Sequence, residues 1–296
     1  MELRQLEHFL TVTQHGSLHA AAAAAGISQP ALTKSIRRLE SALGVRLFDR
    51  HPRGVRPTLF GEALILHARS LQAELRLADE TLRELRSTKS GLVRLGAGPS
   101  MSATLLPRMA ARLMEQGLAI RLHVRSGLND SLLVALQTGE LDFAITSMPT
   151  IPVPGLVHQR LYTDRVVVAA RRGHPLANTR TAMADLAAAR WIMPNRNVLT
   201  HVRLAELFNE NGIGGPDIWF ETDSIPFLLE VVGQTDLLSY VPVPLMAGRD
   251  LVGIEVEGTV WRRTVGLSYW RRRTVTPASR VLLSVLQEVV GELHGG

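Results

Sequence analysis

At 296 residues the chain exceeds what one hydrophobic core ordinarily serves, so it reads as two or more domains. A hydrophobic share of 46% and a charged share of 20% place it in the globular class, and the absence of cysteine excludes disulfides, thiolate-bound zinc, iron–sulfur centres and a thiol nucleophile. The net charge of +6 favours a polyanionic partner, Met1-Glu2-Leu3-Arg4 lacks the form of a secretory signal, and no apolar run reaches the roughly 18 residues that span a bilayer, so the expectation is a cytoplasmic protein without membrane contact.

Leu3, Leu6, Phe9, Leu10 and Thr13 fall on one helical face and predict a first amphipathic helix that Gly16 ends. Ser17 caps a second, short helix through Ala25, built almost wholly of alanine, whose small side chains let two helices approach closely. Gly26 makes the turn. Ser28 caps a third helix that tolerates Pro30 in its first turn and carries Ala31, Leu32, Ile36, Leu39 and Leu43 as its apolar stripe. Two short helices joined by a tight glycine turn predict a helix-turn-helix over about 18–37. Val45 to Arg50 alternates, His51 to Val55 reads as a turn, and Arg56-Pro57 follows, which predicts a short hairpin, or wing. Between Ser28 and Pro57 stand seven basic residues (Lys34, Arg37, Arg38, Arg46, Arg50, Arg53, Arg56) against Glu40 and Asp49, so most of the positive charge is concentrated here.

From the Thr58 cap, Leu64, Ala68, Leu71, Leu75, Ala78, Leu82 and Leu85 step by four and three, the heptad seam of a helix of about 30 residues that pairs with a second copy of itself. Residues 87–91 are a polar hinge. Beyond it strands alternate with helices: strand Leu92 to Ala97, helix from about Ser102 to Glu115, in which Pro107 falls in the first turn if the start is near Thr104, strand Ala119 to Arg125, helix Leu128 to Gln137, strand Leu141 to Thr146. That order predicts a parallel sheet covered by helices. A second set follows: strand Arg165 to Ala170, a helix near Ala182 to Ala189, strand Trp191 to Met193, helix Thr200 to Asn211, strand Ile218 to Glu221, helix Ser224 to Gly233 and strand Leu237 to Val241. A long strand, Val260 to Trp270, and a helix from Pro277 to Leu293 close the chain, giving two α/β lobes around a cleft.

Ser28-Gln29-Pro30-Ala31-Leu32-Thr33-Lys34, with Ile36-Arg37-Arg38-Leu39-Glu40 and Leu43-Gly44-Val45-Arg46-Leu47-Phe48-Asp49-Arg50, resembles the DNA-binding signature of LysR-type transcriptional regulators. The opening Met1 to Leu6 with Phe9, and Thr58 with Gly61-Glu62-Ala63-Leu64, fit the same pattern; Gly91 to Gly96, Leu105-Leu106-Pro107 and Gly139 to Ile145 fit it more loosely. Ala25 stands where the family usually has a bulky aliphatic and Ala20 where a polar or basic residue is common. The resemblance implies a winged helix-turn-helix DNA-binding domain over 1–58, a dimerisation helix over 59–88, and a two-lobed effector domain of the type 2 periplasmic-binding-protein kind over 91–296. Lobe I then takes about 91–162 and 268–296, lobe II about 163–267. It implies a homotetramer built as a dimer of dimers on promoter DNA, contact with RNA polymerase if the protein activates, a small-molecule effector, and no catalysis or cofactor.

On that reading the third helix enters the major groove. Ser28, Gln29, Pro30, Ala31, Thr33 and Lys34 face bases and nearby phosphates, while Arg37, Arg38, Arg53 and Arg56 suit the backbone and minor groove. Ligands of parallel α/β sheets sit outside the carboxyl ends of the strands. Ser100, Met101 and Ser102 at one helix start, Ser126, Gly127 and Asn129, Thr146, Ser147 and Met148, Asn195 and Arg196 near the helix at Thr200, and Thr222 with Asp223 are therefore the expected effector contacts, suited to an organic anion or aromatic acid.

Two other classes compete. An enzyme finds little support: Gly96-Ala97-Gly98 begins like a dinucleotide loop but Met101 stands where the third glycine belongs, and Gly16-Ser17 breaks any helix that would align His15 with His19 on a metal. A solute-binding transport protein would suit the two lobes but not the N-terminal module.

Overall fold

The computed structural model describes residues 1–51, 54–86, 91–149, 151–177, 179–196, 198–271 and 275–294. They cluster into two units, Met1–Thr88 with Val134–Glu140, and Lys89–Leu133 with Leu141–Gly296.

The first unit opens with α1 (Leu3–His15), α2 (Leu18–Ala24) and α3 (Gln29–Leu43). The Glu2 amide donates to the Gln5 side chain (2.9 Å), Ser17 Oγ accepts from Ala20 N–H and Ser28 Oγ from Ala31 N–H, so each helix start has its orphan amides engaged. Gly26, with φ +66°, turns α2 into α3. Leu6, Phe9 and Val12 of α1, Ala21 and Ala22 of α2, and Leu32, Ile36 and Leu39 of α3 converge with Leu47 and Phe48, and Phe9 and Phe48 meet with ring centroids 5.2 Å apart. Burying each large side chain contributes about 1.5–3 kcal/mol. The two alanines set the close helix spacing.

The hairpin is tighter than its sequence pattern indicates. β1 (Phe48–His51) pairs antiparallel with β2 (Gly54–Pro57), so the strand begins three residues after Val45 and no turn extends to Val55. The reason lies in Glu40, whose carboxylate accepts from the amides of Leu47 (2.8 Å) and Phe48 (3.4 Å) and holds Val45 to Leu47 out of the ladder. Gly54 adopts φ +133°, and a Cβ there would collide with the Gly16 carbonyl, which accepts from Val55 N–H at 2.9 Å. The hairpin is thus pinned to the end of α1.

Thr58 accepts from Gly61 N–H (3.1 Å), donates to the Arg46 carbonyl (2.7 Å) and starts α4 (Leu59–Arg86). The expected seam divides. Ala68 is fully buried and Leu64 packs partly against the core of its own unit, whereas Leu71, Leu75, Ala78 and Leu82 are exposed, as are Phe60 and Ala63 earlier on the same side. The first turns of α4 cover α1, which takes the two N-terminal seam positions for the core. The Leu85 side chain lies outside the described residues.

The second unit contains β3 (Gly91–Ala97), α5 (Pro99–Glu115), β4 (Ile120–Ser126), α6 (Asn129–Gln137), β5 (Phe143–Ser147) and β6 (Leu156–Arg171), although the last residues of α6 cluster with the first unit. It continues through α7 (Met183–Ala188), β7 (Arg190–Pro194), α8 (Leu199–Glu210), β8 (Asp217–Thr222), α9 (Ile225–Gln234), β9 (Ser239–Pro242), a 3₁₀ turn (Val243–Met246), β10 (Leu251–Ile254), β11 (Trp261–Trp270) and α10 (Pro277–His294). The main sheet runs β10-β6-β11-β5-β3-β4, with β9 also on β6; β3 is parallel to β4 and β5, as the alternating order requires, and β7 is parallel to β8.

Besides a cluster of Ala169, Ile192, Leu228, Val232, Val241 and Leu251, two larger apolar clusters lie along this sheet. Val93, Leu95, Met101, Met109, Phe143, Leu282 and Val285 form one. Val166, Val168, Leu186, Trp191, Leu204, Phe208 and Tyr240 form the other, where Trp191 and Phe208 meet edge to face at 6.0 Å and the Trp191 indole N–H donates to the Leu186 carbonyl. The paired strands β6 and β11 run from the first cluster into the second, from Leu156↔Trp270 to Val166↔Trp261 with one register shift between Val265 and Gly266.

Two elements depart from expectation. α5 starts at Pro99 rather than near Ser102, because Gly98 ends the strand and Pro99 suits the first helical position; Pro107 then sits inside the helix, which continues because Leu105, Leu106, Met109 and Leu113 bury one face. β6 has sixteen residues, ten more than the stretch from Arg165 to Ala170. The 3₁₀ turn and β10 have no counterpart in the sequence pattern.

Tyr240 is buried and its hydroxyl donates to the Thr259 carbonyl at 2.6 Å. Tyr240→Phe removes that donor from a buried acceptor and should destabilise the fold by about 1–2 kcal/mol, read as a lower urea midpoint with an unchanged slope.

Candidate functional site

α3 presents two faces. Leu32, Ile36 and Leu39 are buried, and Gln29, Pro30, Lys34, Arg37 and Arg38 stand on the opposite, exposed side with the half-buried Thr33. These residues, with Ser41, line one shallow concavity, so the expected base- and phosphate-facing side chains share a surface; Ser41 was missing from the expectation. Ala31 is exposed beside them, and Ser28 is occupied as the helix cap. Arg56 is exposed on β2, and Arg53 lies outside the described residues.

Among the described residues, Lys34, Arg37, Arg38 and Arg56 make no ion pair. Several arginines elsewhere do have carboxylate partners: Arg112, Arg165, Arg171, Arg172, Arg196, Arg203, Arg249 and Arg263 of the second unit each make an ion pair. A cluster of exposed, uncompensated cations on a rigid helix produces a local positive potential suited to a polyanion.

In the second unit, Ser100, Met101, Gly127, Asn129, Ser147, Met148 and Thr200 come together around a cavity of about 430 Å³. Its wall is largely aliphatic, from Leu133, Ile151, Val198, Leu199 and Val202, residues that the sequence reading did not name. The expected contacts do not all meet there. Ser102, Ser126 and Asp223 line a second cavity of about 440 Å³ beside Ile225 and Leu229. Thr146 is fully buried, Thr222 Oγ1 accepts from Ser224 N–H (3.0 Å), and Arg196 is drawn onto Glu221 (3.0 Å) at the surface; none of these three lines either cavity, nor does Asn195.

Arg263 also lines the first cavity and was missed. It is 7% exposed, its Nε and Nη2 donate to the two carboxylate oxygens of Asp164 at 2.6 Å each, and Nη2 donates further to Ser100 Oγ at 2.8 Å. Asp164 and Arg263 face each other across β6 and β11. Next to them, burial pushes the Tyr162 hydroxyl up to about 12, with the Asp164 charge adding to the effect and Arg263 opposing it, so the phenol stays neutral. The signal for Arg263 was a charged residue in the inward phase of a strand between apolar neighbours.

Two family models match the chain: "LysR substrate binding domain" over residues 86–291 and "Bacterial regulatory helix-turn-helix protein, lysR family" over residues 3–62. The transcriptional regulator GbpR of Azospirillum brasilense is 32% identical over 239 residues, 80% of this chain and 70% of that protein. The SDS degradation transcriptional activation protein of a Pseudomonas species is 31% identical over 295 residues, 96% and 95% of the two chains. Full-length CbnR, solved in complex with its target DNA, superposes with a TM-score of 0.67 at 20% identity, covering 99% of each chain.

Two histidines link these surfaces to pH. His8 Nδ1 lies 2.7 Å from Ser35 Oγ of α3, and burial, then Arg4, lower its basicity. His158 Nδ1 lies 2.7 Å from Ser268 Oγ while its Nε2 accepts from Val153 N–H at the cavity wall, and burial lowers it. A histidine less basic when folded is protonated more readily when unfolded, so stability falls as pH drops below the ordinary value of 6.5. The melting temperature should therefore decline from pH 7 to pH 5, and His158→Gln should flatten that decline.

Proposed function

Since the chain belongs to the LysR family of bacterial transcriptional regulators, binding DNA through its helix-turn-helix and an effector through its C-terminal domain, we propose that α3 is the major-groove reader and the cavity at Ser100 and Thr200 the effector site. The observation behind the first assignment is the exposed, unpaired basic face of α3. Gln29 offers a donor and an acceptor to an adenine edge, Pro30 and Ala31 offer apolar contact to thymine methyls, and Thr33 reaches a base or a phosphate. Lys34, Arg37, Arg38 and the hairpin's Arg56 neutralise phosphates. The hydroxyls and aliphatic wall of the cavity suit a small organic anion.

The exposed stripe of Leu71, Leu75, Ala78 and Leu82 on α4 fits a second copy of the same helix, and the full assembly is a dimer of dimers. Its setting is the cytoplasm, and an activating complex would meet RNA polymerase on the promoter. No helix among the described residues is long and apolar enough to cross a membrane.

Gel shifts on the promoter beside the gene, run with specific and random duplexes, test the DNA assignment. Gln29→Ala should cost about 1–3 kcal/mol on the specific site and little on random duplex, whereas Arg56→Ala should weaken both alike and reduce the salt slope by about one. Equal losses on both duplexes for Gln29→Ala would overturn its role as a base reader. Leu75→Asp should shift the protein toward smaller species in analytical ultracentrifugation, because a buried charge would face its own copy across the seam.

A further inference from the structure

The effector cavity holds a cation in an unusual state of readiness. A guanidinium has five N–H donors, and Arg263 commits the Nε and Nη2 edge to Asp164 and the outer Nη2 hydrogen to Ser100 Oγ. Its Nη1 makes no hydrogen bond among the described residues, although the side chain is almost wholly buried and lines the cavity. Asp164 supplies the compensation that lets the cation remain buried when nothing else is present.

Three neighbours leave donors unused around the same space. α5, with seventeen residues, has no side-chain cap at Gly98 and a proline at its first position, so the amides of Ser100 and Met101 are uncapped. Ser147 and Thr200 are each 6% exposed, line the cavity, and have hydroxyls with no partner among the described residues. Both residues line the same cavity as Arg263, so their hydroxyls are available to a ligand there. The rest of the described lining is mostly apolar, with Asn129 and the carboxylate of Asp130 as its other polar side chains, and carries no aromatic ring.

We propose that Arg263 reads the charge of the effector, its Nη1 and the uncapped start of α5 receiving a carboxylate while the ligand's body lies on Leu133, Val198 and Val202. This rests on the reading of the cavity as the effector site and adds its chemical class: an aliphatic monoanion with one carboxylate-like head. Asp164 holds the guanidinium in place through one edge, so the ligand's head meets the other. The geometry makes Arg263 a specificity residue. A neutral ligand of the same shape would leave Nη1 and the α5 amides without an acceptor.

The test uses the full-length protein and an isosteric pair, octanoate and octanamide, titrated by calorimetry and thermal shift. Octanoate should bind at least about tenfold more tightly than octanamide. Arg263→Gln alone would strand the Asp164 carboxylate in the interior, so the working variant is Arg263→Gln with Asp164→Asn, which removes both charges and keeps the shape; its fold is checked by near-UV circular dichroism. That variant should lose the preference for the acid. Val202→Trp, which fills the cavity from its exposed side, should weaken both ligands. Equal affinities for acid and amide on the native protein, no binding of octanoate, or an undiminished preference in the double variant would each overturn the role of Arg263. Octanoate binding that survives Val202→Trp unchanged would instead overturn the cavity as the effector site.

Discussion

One antiparallel ladder ties the C-terminal unit together: β6 against β11, continuous from Leu156↔Trp270 to Val166↔Trp261. Its lower half buries Tyr162, Val265 and Leu267 in the first apolar cluster, and its upper end places Val166 in the second with Trp261 packed against it. Neither cluster includes enough of the chain to serve both lobes, so the ladder is the shared element on which each is built. A register shift between Val265 and Gly266 bends it near the middle, as a bulge does. Asp164 and Arg263 sit two residues from that bend, and their ion pair crosses the two strands there. The same pair reaches Ser100 at the start of α5, which joins the ladder to the helix that opens the cavity.

The distribution of paired and unpaired arginines separates the two kinds of surface more sharply than net charge does. An exposed ion pair contributes little to stability, typically below about 1 kcal/mol, so apart from the buried Arg263–Asp164 pair the paired arginines of the second unit are not what holds it together. Their effect is to keep its surface close to neutral. On α3 and β2 no such partners stand nearby, and the charge remains available to an external anion. Both situations use the same side chain. What differs is whether a carboxylate lies within reach, which only the fold determines.

Much of the architecture was legible because periodicity, caps and glycine turns repeat local physics. Ser17, Ser28 and Thr58 were read as caps and accept the expected amides; the βαβ order gave parallel strands; α3 shows the apolar stripe that its spacing required. The misses came where tertiary contacts override local pattern. Glu40 reaches across to the amides of Leu47 and Phe48 and shortens β1, which no window of neighbouring residues could indicate. Most of β6 was hidden because His158, Gln159 and Arg160 are polar and at most half-buried, and it is held as strand by β11, some hundred residues later. Hydroxyls at loop ends marked the cavity in outline, yet whether Ser102 and Ser126 face the same space as Ser100 depends on helix phase around Pro99. The strand phase of Arg263 hinted at its burial, but its partner Asp164 lies across a ladder, and separation in sequence carries no trace of that pairing.

The N-terminal module shows why its small residues matter to a surface they do not touch. A base-reading side chain is useful only if its backbone is held to within a fraction of an ångström, since a bidentate contact fails when the donor and acceptor are misplaced together. Ala21 and Ala22 fix the distance of α2 from its neighbours, and Leu32, Ile36 and Leu39 fix the rotation of α3 about its own axis, which decides that Gln29, Lys34 and Arg37 face outward together. Gly54 then docks the hairpin on the Gly16 carbonyl and sets where Arg56 stands. Side chains larger at either place would move cations relative to one another without removing any of them. The charge count would be unchanged and the fit to a duplex lost, so specificity here is a property of the core before it is a property of the surface.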